Sequence, residues 1–297
     1  MKTLRLFGLA ALATMVLSCE NNLFDKSETV TNNPISEDGE ELVLKEAGAD
    51  NALETADYEV DYFTTSDIPQ DAGLKSTNHR RFGLRYLVGQ APDVTVDTSA
   101  TGFPKTIILD YGEGTELENG KILSGKIVIV VSAPRFTDGA TREVTFVDFY
   151  VDSIGIVGKN TCSFYSGQDS IQGTFVYNRN LQFNFPDDSY ILREGERTRT
   201  WIYGLNTPFM HADDEIHITG QSTSEDRHGN VYTRVITNAL VKTGACRFII
   251  QGTVELSKNG EVMYLDYGDG ECDYLAELTK GAVTKEINLA RWNRKRK

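Results

Sequence analysis

The chain has 297 residues, with 43 Asp and Glu against 30 Lys and Arg, a formal net charge of −13. An acidic chain is poorly suited to nucleic acid, and no stretch beyond the first residues approaches the apolar length of a transmembrane helix. After removal of an N-terminal leader, the remaining length suits two ordinary domains or one large β unit.

The leader has three zones. Lys2 and Arg5 form a positive n-region, Leu6 to Leu17 an apolar run, and Val16-Leu17-Ser18-Cys19 resembles a lipobox. The run suits a secretory signal and is too short for a stable span. Residues 1–18 therefore read as a signal peptide, with Cys19 as the acylated first residue of the mature protein. Its palmitate-type chains would hold it to membrane lipid at roughly 0.8 kcal/mol per buried methylene.

The acidic excess lies next to that anchor: Glu20 to Lys75 carries a net charge of −12. Residues 19–75 read as a lipidated acidic tether, solvated to about Glu40 because it offers little apolar surface to bury. Glu41 to Phe63 has helical potential, interrupted by Gly48. Charge runs are ordinarily solvated. At the other end, Arg291, Arg294, Lys295, Arg296 and Lys297 form a basic tail, read as a frayed end.

From Phe82 onward the chain reads as short strands broken by glycine, asparagine and aspartate. Strands are expected at 106–111, 126–132, 143–152, 173–177, 198–203, 215–220, 231–236 and 248–256. Asn119-Gly120 and Asn259-Gly260 mark hairpins, since a type I′ turn needs positive φ at both central residues. The expected fold is all-β, antiparallel and sandwich-like, with a first β unit over 76–162 and a second over 163–297. The hexapeptide Leu109-Asp110-Tyr111-Gly112-Glu113-Gly114 recurs as Leu265-Asp266-Tyr267-Gly268-Asp269-Gly270, one copy per unit. It reads as a duplicated turn in which aspartate caps its own backbone. A calcium loop built on Asp266, Asp269 and Asp273 does not match EF-hand spacing.

Three cysteines follow Cys19. The Asn259-Gly260 hairpin pairs residues whose numbers sum to 519, which sets Cys246 opposite Asp273. One extra residue near Gly268–Gly270 is expected to bring Cys272 into register, giving a Cys246–Cys272 disulfide worth about 3 kcal/mol. Cys162 is left over and expected to be buried.

Catalytic signatures are sparse. His211, Asp213, Glu215 and His217 could share a strand face and hold a metal, but Asp213-Asp214 reads as a turn that breaks that face. The chain carries no G-x-S-x-G elbow, H-E-x-x-H pair, Walker A loop or paired C-x-x-C. Trp201, Tyr203 and Trp292 could stack on sugars, with core packing as the default. No catalytic residue, metal ligand or cofactor is expected.

Several stretches together resemble a family of uncharacterised Bacteroidota (Bacteroides-type) cell-envelope lipoproteins. They are PKTIILDYGEG (104–114), GKIVIVV (125–131), VTFVDFYVDSIGIVGKNT (144–161), DDEIHITGQS (213–222), GNVYTRVIT (229–237) and CRFIIQGTVELSKNGEVMYLDYGDGECD (246–273). Members often carry a cysteine after the first D-Y-G-x-G, where this chain has Thr115. The resemblance implies an envelope location, at the outer membrane, and a β fold; it assigns no activity. The leading expectation is a non-enzymatic binding or accessory protein that meets a glycan or an envelope or host protein. The alternatives are a polysaccharide or peptide hydrolase, and a fimbrial or structural subunit matured by cleavage near Arg80 and Arg81.

Overall fold

The computed structural model describes residues 34–65 and 91–292, apart from 100–101, 118, 135–136, 167–172, 206 and 208–210. The signal peptide, Cys19, the first part of the tether, Arg80, Arg81 and residues 293–297 lie outside the described residues.

One long helix precedes the strands. It is α1, Glu37–Thr65. Ser36 caps it: its Oγ accepts from the Gly39 amide at 3.1 Å, and Glu37, Asp38 and Glu40 occupy the first turn, where carboxylates suit the helix dipole. The strands are β1 (Asp93–Thr98), β2 (Lys105–Asp110), β3 (Thr115–Glu116), β4 (Ile122–Val131), β5 (Thr141–Val151), β6 (Ile154–Ser166) and β7 (Gly173–Asn184). They continue as β8 (Tyr190–Tyr203), β9 (Glu215–Asp226), β10 (Val231–Thr243), β11 (Gln251–Lys258), β12 (Glu261–Asp269), β13 (Leu275–Lys280) and β14 (Val283–Asn288).

All pairings are antiparallel, and the sheet order follows chain order from β1 to β14, with the short β3 alone off that path beside β4. The fold is thus all-β apart from α1, as its turn-punctuated strands imply. It is a single meandering sheet. The boundary expected at 162/163 falls inside β6, which pairs with β7 without a break from Gly155↔Asn184 to Ser166↔Gly173. An uninterrupted ladder of that length leaves no hinge at which two units could separate.

Alternation along the strands defines an inner face. On β7, Phe175, Tyr177, Arg179, Leu181 and Phe183 are buried; on β8, Ile191, Arg193, Arg197, Arg199 and Trp201 are. The inner face closes on α1, whose partners run from Tyr111, just after β2, to Lys285 on β14. The sheet therefore curls around the helix. From Leu42 to Phe63 every helix residue is buried except Lys45 and Tyr58.

The helix expected over 41–63 is realised within α1, but this part of the chain is no tether: it is buried, and the sheet supplies partners for its carboxylates. Asn259 and Gly260 have φ of 54° and 81°, joining β11 to β12 through the expected turn. Cys246 and Cys272 are bonded, but by a different route. The ladder shifts between Thr253↔Asp266 and Gln251↔Asp269, an extra residue on β12 at Tyr267-Gly268 that carries the register away from Cys272. The bond closes because both cysteines lie off the ladder, Cys246 in the turn after β10 and Cys272 in the loop after β12.

Candidate functional site

The densest chemistry in the molecule is the contact between α1 and the sheet. Glu46, Asp50, Glu54, Asp57 and Asp61 are spaced by three or four residues, which stacks them in one stripe along the helix. Each is at most 2% exposed. Facing them are Arg142 on β5, Arg179 on β7, Arg193, Arg197 and Arg199 on β8 and Arg234 on β10, all buried.

The pairing runs along the helix as a chain. Arg193 bonds Glu46 at 2.5 Å and Asp50 at 2.9 Å, while Arg234 also reaches Asp50. Arg197 lies 2.8 Å from Glu54 and 3.5 Å from Asp50. Arg199 sits between Glu54 (3.3 Å) and Asp61 (2.6 Å), Arg142 is 2.8 Å from Asp61, and Arg179 is 2.5 Å from Asp57. The Glu54 contacts are ion pairs without hydrogen-bond alignment. Aromatic rings back the guanidinium planes: Arg179 over Tyr177 at 4.3 Å, Arg193 over Phe183 at 4.9 Å and Arg199 over Trp201 at 5.2 Å. Arginine suits this place because it is weakly hydrated, forked and able to stack.

Tyrosines complete the array. Tyr232 donates to Glu46 at 2.6 Å, Tyr111 to Glu59 at 2.8 Å and Tyr267 to Asp50 at 3.4 Å. Tyr111 and Tyr267 are the central residues of the two hexapeptide copies. In each copy the aspartate accepts from the glycine amide two residues on, Asp110 from Gly112 at 3.0 Å and Asp266 from Gly268 at 2.9 Å. The duplicated motif is thus a turn whose aspartate fixes the backbone while its tyrosine reaches a helix carboxylate.

The charges are locked. Burial alone would raise Asp50, yet the guanidinium groups of Arg234, Arg193 and Arg197 overcome it and hold the carboxyl at about 2. Such a group has no proton to give near neutrality. Burial brings the Lys121 amine down to about 7, while it donates to Thr55 Oγ1 at 2.6 Å and to the Asn51 carbonyl at 3.1 Å. Lys242 is lowered to about 8 by burial.

The other sequence candidates are not brought together. His217 Nε2 lies 2.8 Å from Glu215 on β9, whereas Asp213 belongs to a short 3-10 turn and its carboxylate accepts from Thr207 Oγ1 at 2.9 Å. Asp214 is buried and meets Trp201 Nε1 at 3.5 Å. Among the described residues no three His, Cys, Asp or Glu side chains converge on a metal position. Cys162 is free and buried, and burial pushes its thiol up, against thiolate chemistry. Trp201 is a core residue and Tyr203 is exposed, so the packing default fails for the latter.

Two signals in the chain point to the ion-pair core. One is the carboxylate stripe at helical spacing. The other is arginine at alternate strand positions between apolar residues, as in Arg197-x-Arg199-x-Trp201. Comparison with protein-family models, with curated proteins and with solved structures finds no match. Fold and site define a class by themselves: an antiparallel meander wrapped on its own N-terminal helix through a buried ionic seam.

Proposed function

We propose that the protein is a non-enzymatic, lipid-anchored binding or accessory protein of the cell envelope, held to membrane lipid through acylated Cys19. One observation carries the reading. The concave face of the sheet, where a substrate would ordinarily be held, is occupied by α1, and its carboxylates are committed to arginines. What remains for a partner is the outer face. That face carries Glu194 and Glu196 beside Leu192 on β8, with Tyr165, Tyr203, Tyr264 and Tyr274 exposed elsewhere. Tyrosines set among polar groups suit a glycan or a protein surface.

The test has two arms. Radiolabelled palmitate should enter the wild-type protein in cells and not Cys19→Ala. The purified ectodomain should bind at least one member of a panel of glycans and envelope or host proteins, with loss on Tyr203→Ala or Tyr264→Ala. Turnover of a polysaccharide or peptide, abolished by changing a single carboxylate, would sink the reading.

A further inference from the structure

We infer that the sheet holds a site for a small monovalent anion of chloride size, beside α1 at the crossing of β7, β8, β9 and β10. One cross-strand row defines it. Arg179 pairs with Gly195, Gly195 with Ser222, and Ser222 with Arg234, so the row reads arginine, glycine, serine, arginine. Arg193 and Arg197 stand two positions either side of Gly195 on β8. Gly220, opposite Arg197, extends the patch of small residues.

At Gly195 and Gly220 the backbones of β8 and β9 close up beside four guanidinium groups. The space is a cavity of about 20 Å³ whose lining includes Arg179, Arg193, Arg197, Arg234 and Ser222, and also Glu196 and the apolar Leu53 and Ile236. The glycines are required. A Cβ at Gly195 would collide with the Gln221 carbonyl oxygen, and one at Gly220 with that of Glu196.

The donor set is what points to an anion. Arg179 Nε and Nη1, Arg193 Nε, Arg197 Nε and Ser222 Oγ are buried and have no hydrogen-bond partner in the protein. The three arginine side chains are each no more than 7% exposed. Buried donors without acceptors are costly, and several on residues that line one small cavity call for a shared acceptor. Arg193, Arg197 and Arg234 share Asp50, with Glu46 and Glu54 as their other carboxylate partners, and none of these pairs uses those unpartnered donors. The size excludes phosphate and sulfate, because a cavity of this measure admits about one water-sized body. A halide fits the space and the number of donors.

The experiment uses the mature protein in gluconate buffer at constant ionic strength, titrated with chloride or bromide while the melting temperature is followed. The expected result is a saturable rise, since a ligand bound only by the folded state stabilises it in proportion to the logarithm of its concentration. A crystal grown in bromide should show an anomalous peak within hydrogen-bonding distance of Arg179 and Ser222. Ser222→Ala should weaken the halide about tenfold, the effect of losing one bond to a charged partner. Ser222→Val, which fills the space, should abolish the halide dependence while keeping the gluconate melting temperature. No difference between halide and gluconate, or a bromide crystal without the peak, overturns the inference. The crystal decides if the valine variant fails to fold.

Discussion

The inner and outer faces of the sheet use charge in opposite ways. Inside, the cations are almost all arginine, and each meets helix carboxylates with its side chain 0–7% exposed. Outside, they are lysines in simple pairs, such as Lys159 with Glu143 at 2.6 Å and Lys126 with Asp110 at 2.7 Å, their side chains about half exposed. A solvated pair gains little, because water competes and two long side chains must be held still. A buried pair has no such alternative: its net contribution is small, but the loss of one partner strands a charge. The inner seam therefore specifies where α1 sits more than it adds stability, whereas the outer pairs do neither strongly.

That contrast is broken most sharply by Arg199→Met. It leaves Glu54 and Asp61 each short of a cation and should cost about 3–5 kcal/mol, read as a lower denaturation midpoint. A cost no larger than that of an outer lysine would show the seam to be solvated. Replacing Cys246 and Cys272 together by serine removes a cross-link of sequence separation 26. The loss should be about 3 kcal/mol by chain entropy, with α1 still docked by proteolysis assay. Tyr111→Phe and Tyr267→Phe should each cost about 1.5–3 kcal/mol, since each hydroxyl serves a buried carboxylate; equal costs would show that the two motif copies do equal work.

Acidity gives a smaller effect with a fixed sign. Asp50 is about 2 folded and 3.8 as a free side chain, so the unfolded chain binds its proton first. The stability Asp50 supplies is complete above about pH 4 and is lost as pH falls towards 2, by about 2 kcal/mol in all. Lys121 runs the other way. Its folded value of about 7 lies below 10.5, so between those limits the unfolded chain holds the extra proton and stability rises with pH. Lys121→Met should flatten the part of that rise between pH 7 and 9 that Lys242 does not carry. The smallest effect is expected outside: Lys159→Ala should cost about 0.2–1 kcal/mol and less at high salt.

Much of the β body was legible because its signals are local. Period-2 alternation located eight strands but not β1, β3, β6, β13 or β14; in β6, Ile154–Ser166 mixes glycine, lysine and asparagine with its apolar residues. Asn259-Gly260 marked its turn because few residues tolerate positive φ there. The disulfide partners followed from proximity to that hairpin, although the bulge moved the ladder the other way. The helix over 41–63 is legible in the chain, and its burial is not, for a physical reason. A carboxylate with no neighbour in sequence is solvated by default, and only six arginines arriving from β5, β7, β8 and β10 make its burial tolerable.

By itself, then, the sequence determined the antiparallel strands, the type I′ turn and the aspartate-capped hexapeptide. Each depends on interactions spanning a few residues. The tertiary structure decided that the strands form one sheet instead of two units, that the acidic segment is its core, and that Gly195 and Ser222 stand beside a cavity among arginines. Those depend on which side chains meet across more than a hundred residues of chain, where burial makes pairing of charge compulsory.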